Sequence, residues 1–174
     1  MKKPLTYYGN PILRQKCAHV DAITDDILQF IQDLEDTMKA ANGIGISAPQ
    51  LGRALMICIT SFPIEDETGH YENAPPKVYI NPKLSNPSDE MWVHDEGCLS
   101  IPKVYAEVAR PVSITVTAQD IHGKEFTEEL SGWAARVMMH ENDHLNGVLF
   151  IDRVSKKERQ ALDSKLRQIK KEHA

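Results

Sequence analysis

No two cysteines of this chain lie at the C-x-x-C spacing of a zinc or redox pair, and the three present (Cys17, Cys58, Cys98) cannot complete a disulfide framework. An odd number of isolated thiols fits a reducing compartment. Also missing is the apolar run of roughly 7–15 residues that follows the basic start of a signal peptide. No stretch approaches the roughly 18 consecutive apolar residues that would span a bilayer. Positive charge is not in excess: 20 Lys and Arg face 25 Asp and Glu, for a net charge of −5. That balance argues against a nucleic-acid-binding body and against specific DNA recognition. Neither an internal repeat nor a low-complexity tract occurs. What is present is a chain of 174 residues, 41% hydrophobic and 26% charged, long enough to bury a core without disulfides. The expectation is a cytoplasmic protein with no membrane segment.

Periodicity supplies the scaffold. Thr24 is a candidate N-cap, with Asp25 and Asp26 placed where the helix dipole favours acids. Ile27, Phe30, Ile31, Leu34 and Met38 then recur on one helical face, and Asn42-Gly43 stops the helix. Leu55–Ile59 is a continuous apolar run of strand length, which makes Cys58 a small buried hydrophobe. Ser61–Lys77 is polar and proline-containing and reads as a surface excursion. Val78–Ile80 is a short strand that Asn81-Pro82 is expected to close. Ser113–Ala118 and Lys124–Leu130 alternate about an Asp120–Gly123 turn and form a hairpin. His19, His70, His94 and His122 have no partner at ligand spacing.

One stretch carries chemistry. His140-Glu141-Asn142-Asp143-His144 is an H-E-x-x-H pattern, which on a helix puts both imidazoles on one face within reach of a single cation. Trp133 and Val137 share that face, so the helix is buried with its histidines inward, capped near Ser131 and ended by Gly147. A catalytic metal usually takes three protein ligands and keeps one position open. Cys98, flanked by Gly97 and outside any apolar run, is the best candidate for the third. From Ser155 onward, seven basic side chains against three acidic ones make a basic terminal helix.

Three segments together resemble the signature motifs of peptide deformylase: Gly43-Ile44-Gly45-Ile46-Ser47-Ala48-Pro49-Gln50, Glu96-Gly97-Cys98-Leu99-Ser100 and His140–Gly147. They stand in that family's order, and the likeness runs from about Leu5 to beyond Asp152. It implies an α+β fold of short antiparallel sheets wrapped around a central metal-binding helix, with a C-terminal helix. Residues 1–154 would be the catalytic domain and 155–174 the basic helix. It implies Cys98, His140 and His144 as metal ligands and Glu141 as general acid/base. Gln50 and the Leu99 N–H would face the oxyanion, and Ile44, Gly45 and Gly97 would be main-chain partners of the substrate. Glu96 is expected to orient a ligand or pair with Arg110, and Asp143 to stand behind the ligands or on the helix surface. Iron(II) is the implied metal, with zinc, nickel or cobalt able to take its place. N-formylmethionyl nascent peptides are the implied substrates, and the ribosome a partner through the C-terminal helix.

The chain departs from the family's usual pattern at Ile46, at Ser47 and at Met139, where glutamine is usual. Met139 is expected to remove a hydrogen bond near the ligands. A zinc metalloprotease is the alternative reading, and it needs a further ligand beyond His144, from Asp152, Glu158 or His173. A closed structural metal site would instead draw on Cys17 or Cys58.

Overall fold

The computed structural model describes residues 1–174. Three helices and nine strands follow in the order α1 (Asp25–Ala40), β1 (Gly45–Ser47), β2 (Ile57–Thr60), β3 (Pro63–Glu65), β4 (Tyr71–Asn73), β5 (Lys77–Ser85), β6 (Met91–Cys98), β7 (Ile101–Pro111), β8 (Ser113–Gln119), β9 (Glu125–Ser131), α2 (Gly132–Leu145) and α3 (Lys156–Glu172). Five strands form one antiparallel sheet in the order β1-β2-β5-β8-β9, while β3–β4 and β6–β7 are separate two-stranded ribbons. This is the expected α+β arrangement.

α1 begins as its sequence dictates, with the Thr24 hydroxyl accepting from the Ile27 N–H at 3.3 Å. It ends in a Schellman motif: Asn42 N–H donates to Lys39 O and Gly43 N–H to Met38 O, with Asn42 itself in the left-handed region at φ 54°. β2 is buried along its whole length because it lies between two helices. Ile57 and Ile59 join the α1 side of the core, whereas Cys58 joins the α2 side beside Tyr79 and Met138. Burial pushes the Cys58 thiol well above its ordinary value, in keeping with an inert core residue.

One expectation needs correction. Asn81-Pro82 does not end β5, which continues to Ser85 through a bulge between Ile80 and Lys83. Asn81 takes φ 53° there, and its side chain bonds both the Val20 backbone and Gln119, so the bulge is fastened and proline is tolerated. The Ser61–Lys77 excursion holds an ordered hairpin, β3–β4, exposed on nearly every residue.

The tail folds as α3, capped by Ser155, whose hydroxyl accepts from the Glu158 N–H at 3.2 Å. Leu166 and Ile169 bury against Tyr8, Ile101, Val108 and Phe150. The basic helix therefore shares a core with the β6–β7 ribbon. No helix is long and apolar enough to cross a membrane.

Candidate metal centre

α2 lies against the five-stranded sheet on one side and the β6–β7 ribbon on the other, with Ala135, Met138 and Leu145 in the sheet-side core. Ser131 occupies its N-cap position, although its side chain makes no capping bond. Its C-terminus is closed by Gly147 at φ 73°, where a Cβ would collide with the Arg14 backbone. These constraints hold His140 and His144 facing inward. Cys98 reaches them from the end of β6, at the tight connection to β7.

Donor atoms of Cys98, His140 and His144 all lie within 4.8 Å of one another. Cys98 Sγ is 3.2 Å from His144 Nε2. His140 Nδ1 is 2.9 Å from Glu96 Oε1. A carboxylate only accepts, so His140 must donate from Nδ1, which leaves its Nε2 lone pair for a metal. The carboxylate is itself charged: burial opposes this, yet Arg110 and His140 hold it well below the usual range. Burial also works against a charge on His140, but without a metal Cys98 and Glu96 outweigh it and raise the imidazole to about 10; a cation at the donors would take the place of the Nε2 proton. One soft thiolate and two imidazoles converging in this way form a donor set suited to zinc, iron or nickel. The residues fit a metal.

Glu141 stands beside the three donors, 4% exposed, with Oε2 buried and without a partner. Burial is the main cause that pushes its carboxyl up to about 7; a cation at the donors would pull it back down. It rests against Gly45, where an added Cβ would sit 2.6 Å from Glu141 Oε1. That close approach is why β1 opens with glycine.

Gln50 is oriented without ambiguity. Its Oε1 accepts from the Ser47 N–H at 2.9 Å and from the Ser47 hydroxyl at 3.1 Å, which turns the NH₂ group toward Ser100 Oγ at 3.0 Å and Cys98 Sγ at 3.7 Å. Ser47, one of the departures from the family pattern, thus adds a bond that alanine could not. Leu99 N–H has no acceptor within the chain. Gln50, Cys98, Leu99, His140 and Glu141 border one cleft of about 520 Å³, which Ile44, Gly97, Tyr105, Trp133 and Val137 also line. Met139 does not line this cleft: it packs on the sheet side of α2 with Met138 and Ile114. It also borders a second cleft beside Arg110 and Asp143.

Over residues 2–160 the chain matches the family described as polypeptide deformylase. It belongs to the peptide deformylase family. The peptide deformylase of Rhizobium meliloti is 45% identical over 157 residues, covering 90% of this chain and 87% of that one. The one from Pseudothermotoga lettingae is 38% identical, covering 97% and 92%. Among solved structures, the Thermus thermophilus peptide deformylase superposes with a TM-score of 0.87 at 34% identity, covering 99% of each chain. An Arabidopsis thaliana peptide deformylase bound to an inhibitor also gives 0.87, at 35% identity, covering 99% and 92%.

Peptide deformylase activity is hydrolysis: the enzyme removes the N-terminal formyl group of formylmethionyl chains in a metal-dependent reaction. The metalloprotease reading is not favoured. Asp152 pairs with Arg14, Glu158 lies in the first turn of α3, and His173 stacks on Tyr7. Cys17 and Cys58 sit in the core and not with the donors, so no fourth protein ligand closes the site.

The Glu96–Arg110 pair is present as expected, and sequence reasoning missed the Arg136 and Arg153 contacts that extend it. Arg110 bonds Glu96 with Nε at 2.6 Å and Nη2 at 2.9 Å, and reaches Asp143 with Nη1 at 3.0 Å. Arg153 closes the chain of ion pairs on Asp143. Arg136 joins it on Glu96. A signal existed for Arg136, because a lone arginine on the buried face of a helix, one turn before His140, demands a buried partner.

Proposed function

We propose that Cys98, His140 and His144 hold the metal of this deformylase, and that Glu141 is its general acid/base. The Gln50 amide and the Leu99 N–H stabilise the oxyanion. The observation that carries this reading is the convergence of three donor atoms within 4.8 Å beside one buried carboxylate whose Oε2 has no partner. A bound metal supplies Lewis acidity that makes water nucleophilic near neutral pH.

The residues do the rest. Glu141 takes the proton of the attacking water and passes it to the departing amine nitrogen, so that formate and a free N-terminus leave. Gln50 Nε2–H, fixed by Ser47, and the unpaired Leu99 N–H stand ready where negative charge develops on the formyl oxygen.

The peptide lies as an added strand. β1 is the edge of the five-stranded sheet and β6 the open edge of its ribbon, and both border the cleft. Ile44, Gly45 and Gly97 offer backbone groups there; the Ile44 carbonyl already accepts from Ser61, which leaves its N–H for substrate. Alanine at Cys98, His140 or His144 should each reduce bound metal from one equivalent to near none, whereas full metal content in any of the three would contradict the ligand assignment.

Iron(II) is the proposed resident ion, with zinc, nickel or cobalt able to substitute. Metal analysis of protein purified without air should return iron, and zinc alone would count against it. We place the enzyme in the cytoplasm, with three unpaired thiols in support. N-formylmethionyl nascent chains meet it at the ribosome through α3, whose exposed face carries Lys157, Lys165 and Lys171. Deleting α3 would also strip Leu166 and Ile169 from the core. Glutamate at those three surface lysines is therefore the cleaner test. Ribosome binding should weaken and lose most of its salt dependence; unchanged binding would remove the docking role.

A further inference from the structure

Arg136 is a buried charge that the reaction scheme leaves without a task. It is 2% exposed, and it precedes His140 by four residues on α2, so the two side chains share a helix face. Both converge on one carboxylate. Glu96 Oε1 is met by His140 Nδ1 and Arg110 Nη2, each at 2.9 Å; Oε2 is met by Arg110 Nε at 2.6 Å and Arg136 Nη1 at 2.5 Å. Arg136 also donates to the Val108 carbonyl at 3.1 Å and to the Trp92 carbonyl, and its guanidinium carbon lies 4.5 Å from the centroid of a Trp92 ring. One side chain thus ties the ligand helix to both strands of the β6–β7 ribbon at the level of His140.

Charge balance does not explain this. Arg110 already serves Glu96 as a two-pronged partner, and Arg153 already serves Asp143. With Arg136 added, three guanidiniums face two carboxylates. The surplus positive charge costs desolvation and repels a cation at the nearby donors. The gain must be geometric. Arg110, on β7, ties Glu96 to the ribbon and meets α2 only through Asp143, beyond His140 and beside His144. Arg136 is on α2, like His140, and fixes the same carboxylate relative to the helix that carries the ligand.

We propose that Arg136 is a positioning residue: acting through Glu96, it sets the His140 ring so that Nε2 faces Cys98 and His144. This rests on the metal-site reading given above. The test uses the full chain loaded with cobalt(II) and follows metal loss to a chelator together with the cobalt absorption spectrum; neither readout depends on deformylation. Arg136→Lys keeps the charge but cannot reach Glu96, Val108 and Trp92 together. Arg136→Met removes the charge. Both should release metal about 10-fold faster with an altered spectrum, the size typical of losing a group that orients a ligand. In a Glu96→Gln background the same substitutions should change release by less than about 2-fold, since their route to His140 is gone.

Release as slow as in the unsubstituted protein would overturn the proposal. Slower release from Arg136→Met would do so too, because it would show that charge repulsion is what Arg136 contributes. An undiminished effect in the Glu96→Gln background would mean that Arg136 does not act through Glu96. If the unsubstituted protein itself failed to hold one equivalent, the metal reading would fall first, a result distinct from all of these.

Discussion

Glu141→Gln should lower formate release from a formylmethionyl peptide about 10³-fold, within the range that general acid–base groups contribute, while one equivalent of metal stays bound. Glutamine keeps the size and shape of the side chain, so the fit against Gly45 survives. What it loses is the ability to take a proton and give it back. The environment makes that loss large: the carboxyl is 4% exposed, and no other side chain bonds its Oε2. No neighbouring base stands ready to substitute, since Glu96 is tied to Arg110, Arg136 and His140. A loss of less than about 10-fold, with metal retained, would move the proton-transfer role to another group.

Arg110→Met should cost about 3 kcal/mol of folding stability, the lower end of the range for breaking a buried ion pair. Arg110 is 3% exposed and is the one residue that touches both Glu96 and Asp143. Its removal leaves each carboxylate one remaining cation, Arg136 for Glu96 and Arg153 for Asp143, and that is why the upper end is not expected. For a chain of this length the melting temperature should fall by roughly 6–12 °C. The loss should also depend on pH. Glu96 is held below the ordinary carboxylate range, so its contribution is complete above about pH 4.3 and fades as pH falls toward its folded value. Without Arg110 that value rises, and acid unfolding should begin at higher pH. Thermal melts across pH 2–7 would check both effects; an unchanged melting temperature would mean that the pair contributes little beyond geometry.

Much of the scaffold was legible because it obeys a single period. α1 shows its stripe, its Thr24 cap and its Asn42-Gly43 stop without reference to the rest of the chain. β2 read as a fully apolar run because helices cover it on both sides. The β6–β7 ribbon was harder to see, for a definite reason. The inward positions of β6 carry Trp92, His94 and Glu96, and Arg110 faces them from β7, so ion pairs and half-buried rings interrupt the aliphatic alternation that Val104, Ala106 and Val108 keep on β7. The bulge at Asn81 escaped for a similar reason: a proline reads as a strand end unless side-chain bonds to distant residues hold the chain in register.

The candidate site divides along the same line. Cys98, His140, Glu141 and His144 announce themselves by type and spacing. The groups that orient them are less legible: the Glu96–Arg110 pair could be anticipated, whereas Arg136, Ser100 and Arg153 act through contacts that the chain order does not reveal. Ser47 and Met139 show the limit of reading departures from a pattern: the first adds a bond to Gln50, and the second packs on the sheet side of α2.

Titrating the metal-free chain with iron(II) under anaerobic conditions, while following formate release from a formylmethionyl peptide, tests the central claim most directly. The rate should climb in proportion to added metal, level off at one equivalent, and stay near zero throughout when Cys98 is replaced by alanine. Full occupancy without formate, or a rate indifferent to metal, would contradict it.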